Sequence, residues 1–179
     1  MPPTRNPAAR GAASRTWTRL LAAGAAALLL AACGDDPAEP NATAAAVATL
    51  RSATERYHSL DAAEADGFVF LHGCENRPGE GPVGMVYVHM GRLTDGQIDP
   101  AAPDALVYAP GDGGPPTLVG VELAVPYALW SGEAPPQFLG NAFQREDEFG
   151  VFGLHVWVWR DNPEGLFAES HPGVSCGAE

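Results

Sequence analysis

His89, Glu122 and His155 are the side chains whose type and placement point most directly to chemistry. Each falls in a run with strand-like alternation, and successive side chains of a strand point to opposite faces. In the run 83–90, Met85, Tyr87 and His89 share one face. In 117–125, Glu122 lies with Gly120 and Ala124, opposite Val119, Val121, Leu123 and Val125. In 151–160, His155 lies with Trp157 and Trp159, opposite Leu154, Val156 and Val158. If the three polar faces coincide, two imidazoles and a carboxylate converge with an open position, a ligand set suited to zinc or non-haem iron. The ordinary alternatives are a satisfied buried histidine and a Glu122 paired with Arg145 or Arg160.

The second chemistry on offer is recognition. Leu154-His155-Val156-Trp157-Val158-Trp159-Arg160 is largely apolar on both faces, the pattern of a central strand. Trp157 and Trp159 either fill core or floor a cleft beside His155, with Tyr87 as a further ligand-binding residue. Residues 126–150 carry Pro126, Pro135 and Pro136 among Tyr127, Trp130, Phe138 and Phe143. A loop so apolar must pack on something, and the aromatic side of this strand is the expected place.

Catalytic motifs are missing. The chain holds no G-x-S-x-G, S-x-x-K, H-E-x-x-H or phosphate-binding loop, and no Lys at all. His72 beside Cys74 and His171 in a turn are weaker candidates, and His58 belongs to the solvated side of a helix. No catalytic residue is assigned, and whether the protein is an enzyme stays open.

These side chains must be carried by a recognisable set of elements. Val47, Leu50, Thr54 and Tyr57 fall on one helical face, which predicts a helix over 43–58. Asp61 and Glu64 form a capping-box pattern and Gly67 suits a helix end, so a short helix spans 61–66. Strands follow at 68–72, 83–90, 105–109, 117–125 and 151–160, separated by turn clusters. The clearest hairpin runs from Ala105 to Val125 around the Gly- and Pro-rich stretch 110–116. Asn162-Pro163-Glu164-Gly165 fits a type I turn, and His171-Pro172-Gly173 is another turn. Helices first and sequential strands after them predict an α+β fold. In it, an N-terminal helix packs on an antiparallel sheet of about five strands, with the long Pro-rich loop over one face. A β-sandwich is the alternative.

Upstream of this domain, Arg5, Arg10, Arg15 and Arg19 precede an apolar run that ends in Leu30-Ala31-Ala32-Cys33, a lipobox pattern. The apolar run is too short to span a bilayer, which takes roughly 20 residues. Residues 1–32 therefore read as a lipoprotein signal peptide, Cys33 as the lipidated residue, 33–42 as a flexible tether and 43–179 as one globular domain. The address that follows is the bacterial cell envelope, with the domain outside the cytoplasm and attached to the membrane through acyl chains on Cys33. In that oxidising setting Cys74 and Cys176 are expected to form a disulfide. The whole chain has a net charge of −12, and removing four arginines with the signal leaves 6 − 22 = −16. The remaining arginines do not cluster, so nucleic acid is excluded as a partner.

The tail L-H-x-W-x-W, then N-P-x-G-x-F, then P-x-x-S-C, at 154–159, 162–167 and 172–176, resembles a family of secreted bacterial proteins without an assigned activity. Pro103-Asp104-Ala105-Leu106-Val107-Tyr108 and Val119-Gly120-Val121-Glu122 are similar to that family's middle section. The resemblance covers about residues 55–176 and implies the same domain extent and the Cys74, Cys176 pair, but no catalytic residue. This chain departs from it in carrying His89 where the family has a histidine near the position of Tyr87, and in Ser170-His171. The reading that results is a lipid-anchored module binding a small molecule or an envelope protein at His155, Trp157 and Trp159. A metal-dependent enzyme built on His89, Glu122 and His155 and a purely structural envelope lipoprotein are the alternatives.

Overall fold

The computed structural model describes residues 38–77 and 81–177, with side chains from Ala42 onward. The stretch read as a signal peptide, Cys33 and the first part of the stretch read as a tether lie outside the described residues. Helix α1, Ala38–Thr54, begins before the predicted start at residue 43 and takes in the end of the stretch read as a tether. Pro40 does not prevent this, because a first-turn residue has no intrahelical N–H bond to lose. Leu50, Thr54 and Tyr57 are fully buried, as the stripe predicts. The Thr54 hydroxyl donates to the Leu50 carbonyl at 2.7 Å where α1 ends, and a 3₁₀ turn, Glu55–His58, carries Tyr57 into the core. Helix α2, Leu60–Ala65, is capped by Ser59, whose hydroxyl accepts from the Ala62 N–H, and not by Asp61. Gly67 follows it at φ 100°, a conformation that favours glycine.

Six strands form one antiparallel sheet: β1 Val69–His72, β2 Met85–Val88, β3 Ala105–Ala109, β4 Thr117–Pro126, β5 Gln144–Glu146 and β6 Val151–Val156. Their spatial order is β1-β2-β3-β4-β6-β5. The fold is thus α+β, and the predicted hairpin is β3–β4. Helix α3, Met90–Leu93, follows β2. The turn at 162–165 closes with Gly165 N–H donating to the Asn162 carbonyl at 3.0 Å. No helix among the described residues is long and apolar enough to cross a membrane.

Alternation sorts the core into two layers. On one side Leu106, Tyr108, Val121, Leu123, Val125, Phe152, Leu154 and Val156 pack against Leu50, Tyr57, Ala63 and Phe68 from the helical region. On the other side Val86, Val88, Ala105, Val107, Val119 and Trp157 form a smaller layer closed by Val174. The Cys74–Cys176 disulfide ties the tail down here, with Cα atoms 5.1 Å apart.

The Pro-rich loop corrects an expectation. Tyr127, Trp130, Phe138 and Phe143 pack on the helix side and not on the side of His155. Cross-strand partners Val125 and Phe152 offer an apolar floor there, and the Tyr127 ring sits 4.7 Å from that of Phe152. At the same level the opposite face carries only Ala124 and Gly153, which give aromatic side chains little to bury against.

Candidate acidic cavity on the second sheet face

Register builds the site. Val88, Ala105, Glu122 and His155 lie directly opposite one another in a row across β2, β3, β4 and β6. Glu122 Oε2 stands 3.9 Å from His155 Nε2, with the two side chains 13% and 5% exposed. Gly153 makes room for this pair, since a Cβ at that position would collide with Glu122 Oε1. With Ala105, Ala124 and Gly153 as its near neighbours, the pair faces a cavity of about 160 Å³. Val88, Leu93, Ala105, Ala124 and Val151 supply apolar walls, while Asp104, Glu146 and Arg77 add charge.

Three groups of this cavity have shifted titration. Burial pushes the Asp104 carboxyl up to about 7, against the Ala124 N–H that donates to Oδ2 at 2.8 Å. Glu122 is also raised by burial, with the His155 ring opposing. For His155, burial works against the charged ring, but the carboxylates of Glu169 and Glu122 outweigh it and raise the pKa. Glu169 Oε2 lies 3.9 Å from Nδ1, on the far side of the ring from Glu122. His155 Nε2 is fully buried yet has no hydrogen-bond partner among the described residues. Leaving such an atom unpaired costs about 1–3 kcal/mol, so it calls for an explanation.

The structure does not bring all the sequence candidates together. His89 caps α3, its Nδ1 accepting from the Arg92 N–H at 3.2 Å, and its ring lies 5.3 Å from Phe68 in the helix-side core. It shares a face with Tyr87, while the β2 residue level with Glu122 and His155 is Val88. An aliphatic side chain thus occupies the place a third ligand would need. Among the described residues no three His, Cys, Asp or Glu are arranged to hold a metal ion, so the zinc or iron set of His89, Glu122 and His155 is not assembled.

The expected Trp cleft is not formed either. Trp157 does share the face of His155, but it is core: 2% exposed, its indole N–H donating to the Ala168 carbonyl at 2.7 Å. Trp159 leaves that face because β6 ends at Val156, after which the chain departs from the strand ladder. Its indole N–H donates to the Thr54 hydroxyl at 3.0 Å and its ring lies 4.4 Å from that of exposed His58. Tyr87 packs on the helix side against Phe70 and Tyr108. His72 lines the cavity and stacks on Phe149, whereas His171 is buried beside Trp157. Neither Arg145 nor Arg160 pairs with Glu122; they bond to Asp147 and to the Gly173 carbonyl.

No family model, curated protein or solved structure matches this chain. Function must therefore be read from the cavity itself. Asp104, Arg77 and Glu146 line it and Glu169 stands beside His155; none of the four was among the sequence candidates. Asp104 had a readable signal, because it directly precedes an all-apolar strand that pairs with the strand of Glu122.

Proposed function

We propose that this domain is a small-molecule binding module, held outside the cytoplasm by acyl chains on Cys33, whose ligand occupies the cavity beside Glu122 and His155. The observation that carries the reading is the unpartnered, buried His155 Nε2 at a cavity wall. Stability alone gives no reason for this arrangement. Alanine at 105 and 124 leaves walls without dispersion partners, and carboxylates withdrawn from water with raised pKa values cost desolvation energy. A ligand would satisfy both. The volume suits a compact molecule, since an engineered cavity of about 150 Å³ accepts benzene. The disulfide supports export, because such bonds persist in oxidising compartments. A purely structural lipoprotein would have no use for the cavity, and the metal set read from the sequence loses His89 to the helix-side core.

The test is a ligand-observed NMR screen of small fragments against the full-length protein in detergent, repeated with Ala124→Leu. The larger side chain fills the cavity from its wall. The expected result is a set of fragments that bind the parent protein and are lost from the variant, while the melting temperature stays level or rises. Fragments that bind both proteins alike, or none that bind the parent, would contradict the proposal.

A further inference from the structure

Arg77 and Glu146 stand between two hollows. Inward they line the apolar cavity; outward they line a wider polar groove of about 350 Å³ with Glu75, Glu148 and Glu169. The groove carries four carboxylates, Glu75, Glu146, Glu148 and Glu169, against the guanidiniums of Arg77 and Arg145. Both cations already have acidic neighbours, Arg77 with Glu146 at 3.3 Å and Arg145 with Asp147 at 2.8 Å. The groove is therefore negative, and a negative groove with low-dielectric walls concentrates cations at its floor. His155 joins the two hollows, with Glu169 of the groove beside Nδ1 and Glu122 of the cavity beside Nε2.

Resting on the reading of this cavity as a ligand site, we propose that the ligand is a compact primary ammonium ion whose nitrogen seats between His155 Nε2 and Glu122 Oε2. The gap fits. At 3.9 Å the two atoms are too far apart to bond directly. An atom about 2.9 Å from both would see them at an angle of roughly 85°, which two N–H bonds of one ammonium reach by each bending about 12° from linearity. In the free site both carboxylates favour a second proton on the ring, but an ammonium seated at Nε2 opposes it; the ring then keeps one proton, on Nδ1 beside Glu169, and the Nε2 lone pair accepts. The Glu122 carboxylate is the counter-ion. Val88, Leu93, Ala105 and Ala124 then receive the apolar body. An anionic ligand would meet Glu122 and Asp104 with no unshared cation among the described wall residues to offset them, and the acidic groove would repel it on approach.

The experiment compares three molecules of one shape, cyclohexylamine, cyclohexanol and cyclohexanecarboxylate, by calorimetry on the full-length protein in nanodiscs at pH 7.5. The expected result is at least tenfold tighter binding of the amine than of the alcohol, and none of the carboxylate. Glu122→Gln, close to isosteric, should bring the amine down to the level of the alcohol while alcohol binding persists and reports an intact cavity. If the alcohol binds the parent as tightly as the amine, or the amine keeps its advantage in Glu122→Gln, the ammonium seat is overturned and the cavity reading stands. If none of the three binds, both fall together.

Discussion

Replacing Cys176 with Ser is expected to lower the unfolding free energy by about 2–5 kcal/mol, the usual cost of removing a native disulfide. The bond closes a loop of 102 positions, and for a loop near that length chain entropy alone supplies about 4.7 kcal/mol. At about 2–4 °C per kcal/mol for a domain of this size, the melting temperature should fall by roughly 5–15 °C. The tail also covers the second sheet face, with Ser170, His171 and Val174 buried, and it brings Glu169 to His155. Loss of the bond should therefore weaken ligand binding as well as stability. Calorimetry of parent and variant, and of the parent with and without reductant, measures this. An unchanged melting temperature would show that the packing of the tail needs no bond.

Lowering the pH from 8 to 5 is expected to stabilise the domain, a consequence of Asp104. Its carboxyl titrates near 3.9 in an unfolded chain and at about 7 in the fold. Between those values the native state holds a proton that the unfolded state has lost, so stability falls as pH rises through the interval and levels off above it. Within the window tested, the two pH units from 5 to 7 correspond to on the order of 3 kcal/mol, an upper figure for this residue. Glu122, also raised, acts in the same direction. His155 agrees in sign: its raised pKa gives stability present below the unfolded value near 6.5 and lost as pH climbs through the folded one. Asp66 and Asp147 are lowered, by hydrogen bonds from Tyr57 and from Arg145 respectively, and their contribution is lost only as pH falls below the ordinary carboxylate range. Denaturant midpoints at pH 5 and pH 8 test the slope. Asp104→Asn, which can still accept from Ala124, should flatten most of it; a midpoint that rises toward pH 8 would contradict the assignment.

Alternation of side chains made the two faces of the sheet legible in the sequence. Glu122 and His155 share a face because each follows strict period-two spacing in a strand, and Leu154, Val156 and Val158 oppose them as expected. Period two is silent about which face of β2 meets which face of β4, and that choice separates His89 from the pair. Trp159 was misplaced for another reason: the strand ends at Val156, and the alternation that still carries Trp157 and Val158 fails at Trp159. The start of α1 was missed because Pro40 reads as a breaker except within a first turn.

The cavity is a property of several strands at once. It exists because Ala105 of β3 and Ala124 of β4 come together beside the Glu122–His155 pair, for which Gly153 of β6 leaves room, and no single run shows that coincidence. The same holds for Asp104. It sits at the head of β3, and its N–H donates to the Glu122 carbonyl at 3.1 Å, a link fixed by register alone. The two acids and the imidazole thus form one site through backbone pairing, with the C-terminal tail adding Glu169.

The proposed ligand seat turns on one atom, His155 Nε2. Long-range nitrogen–proton NMR of the full-length protein, labelled with ¹⁵N at histidine and titrated with cyclohexylamine, reads that atom directly. The Nε2 resonance of His155 is expected to move in step with binding while Nδ1 keeps its proton, and Glu122→Gln to remove the shift. A His155 signal that does not respond at saturating amine would contradict the proposed seat.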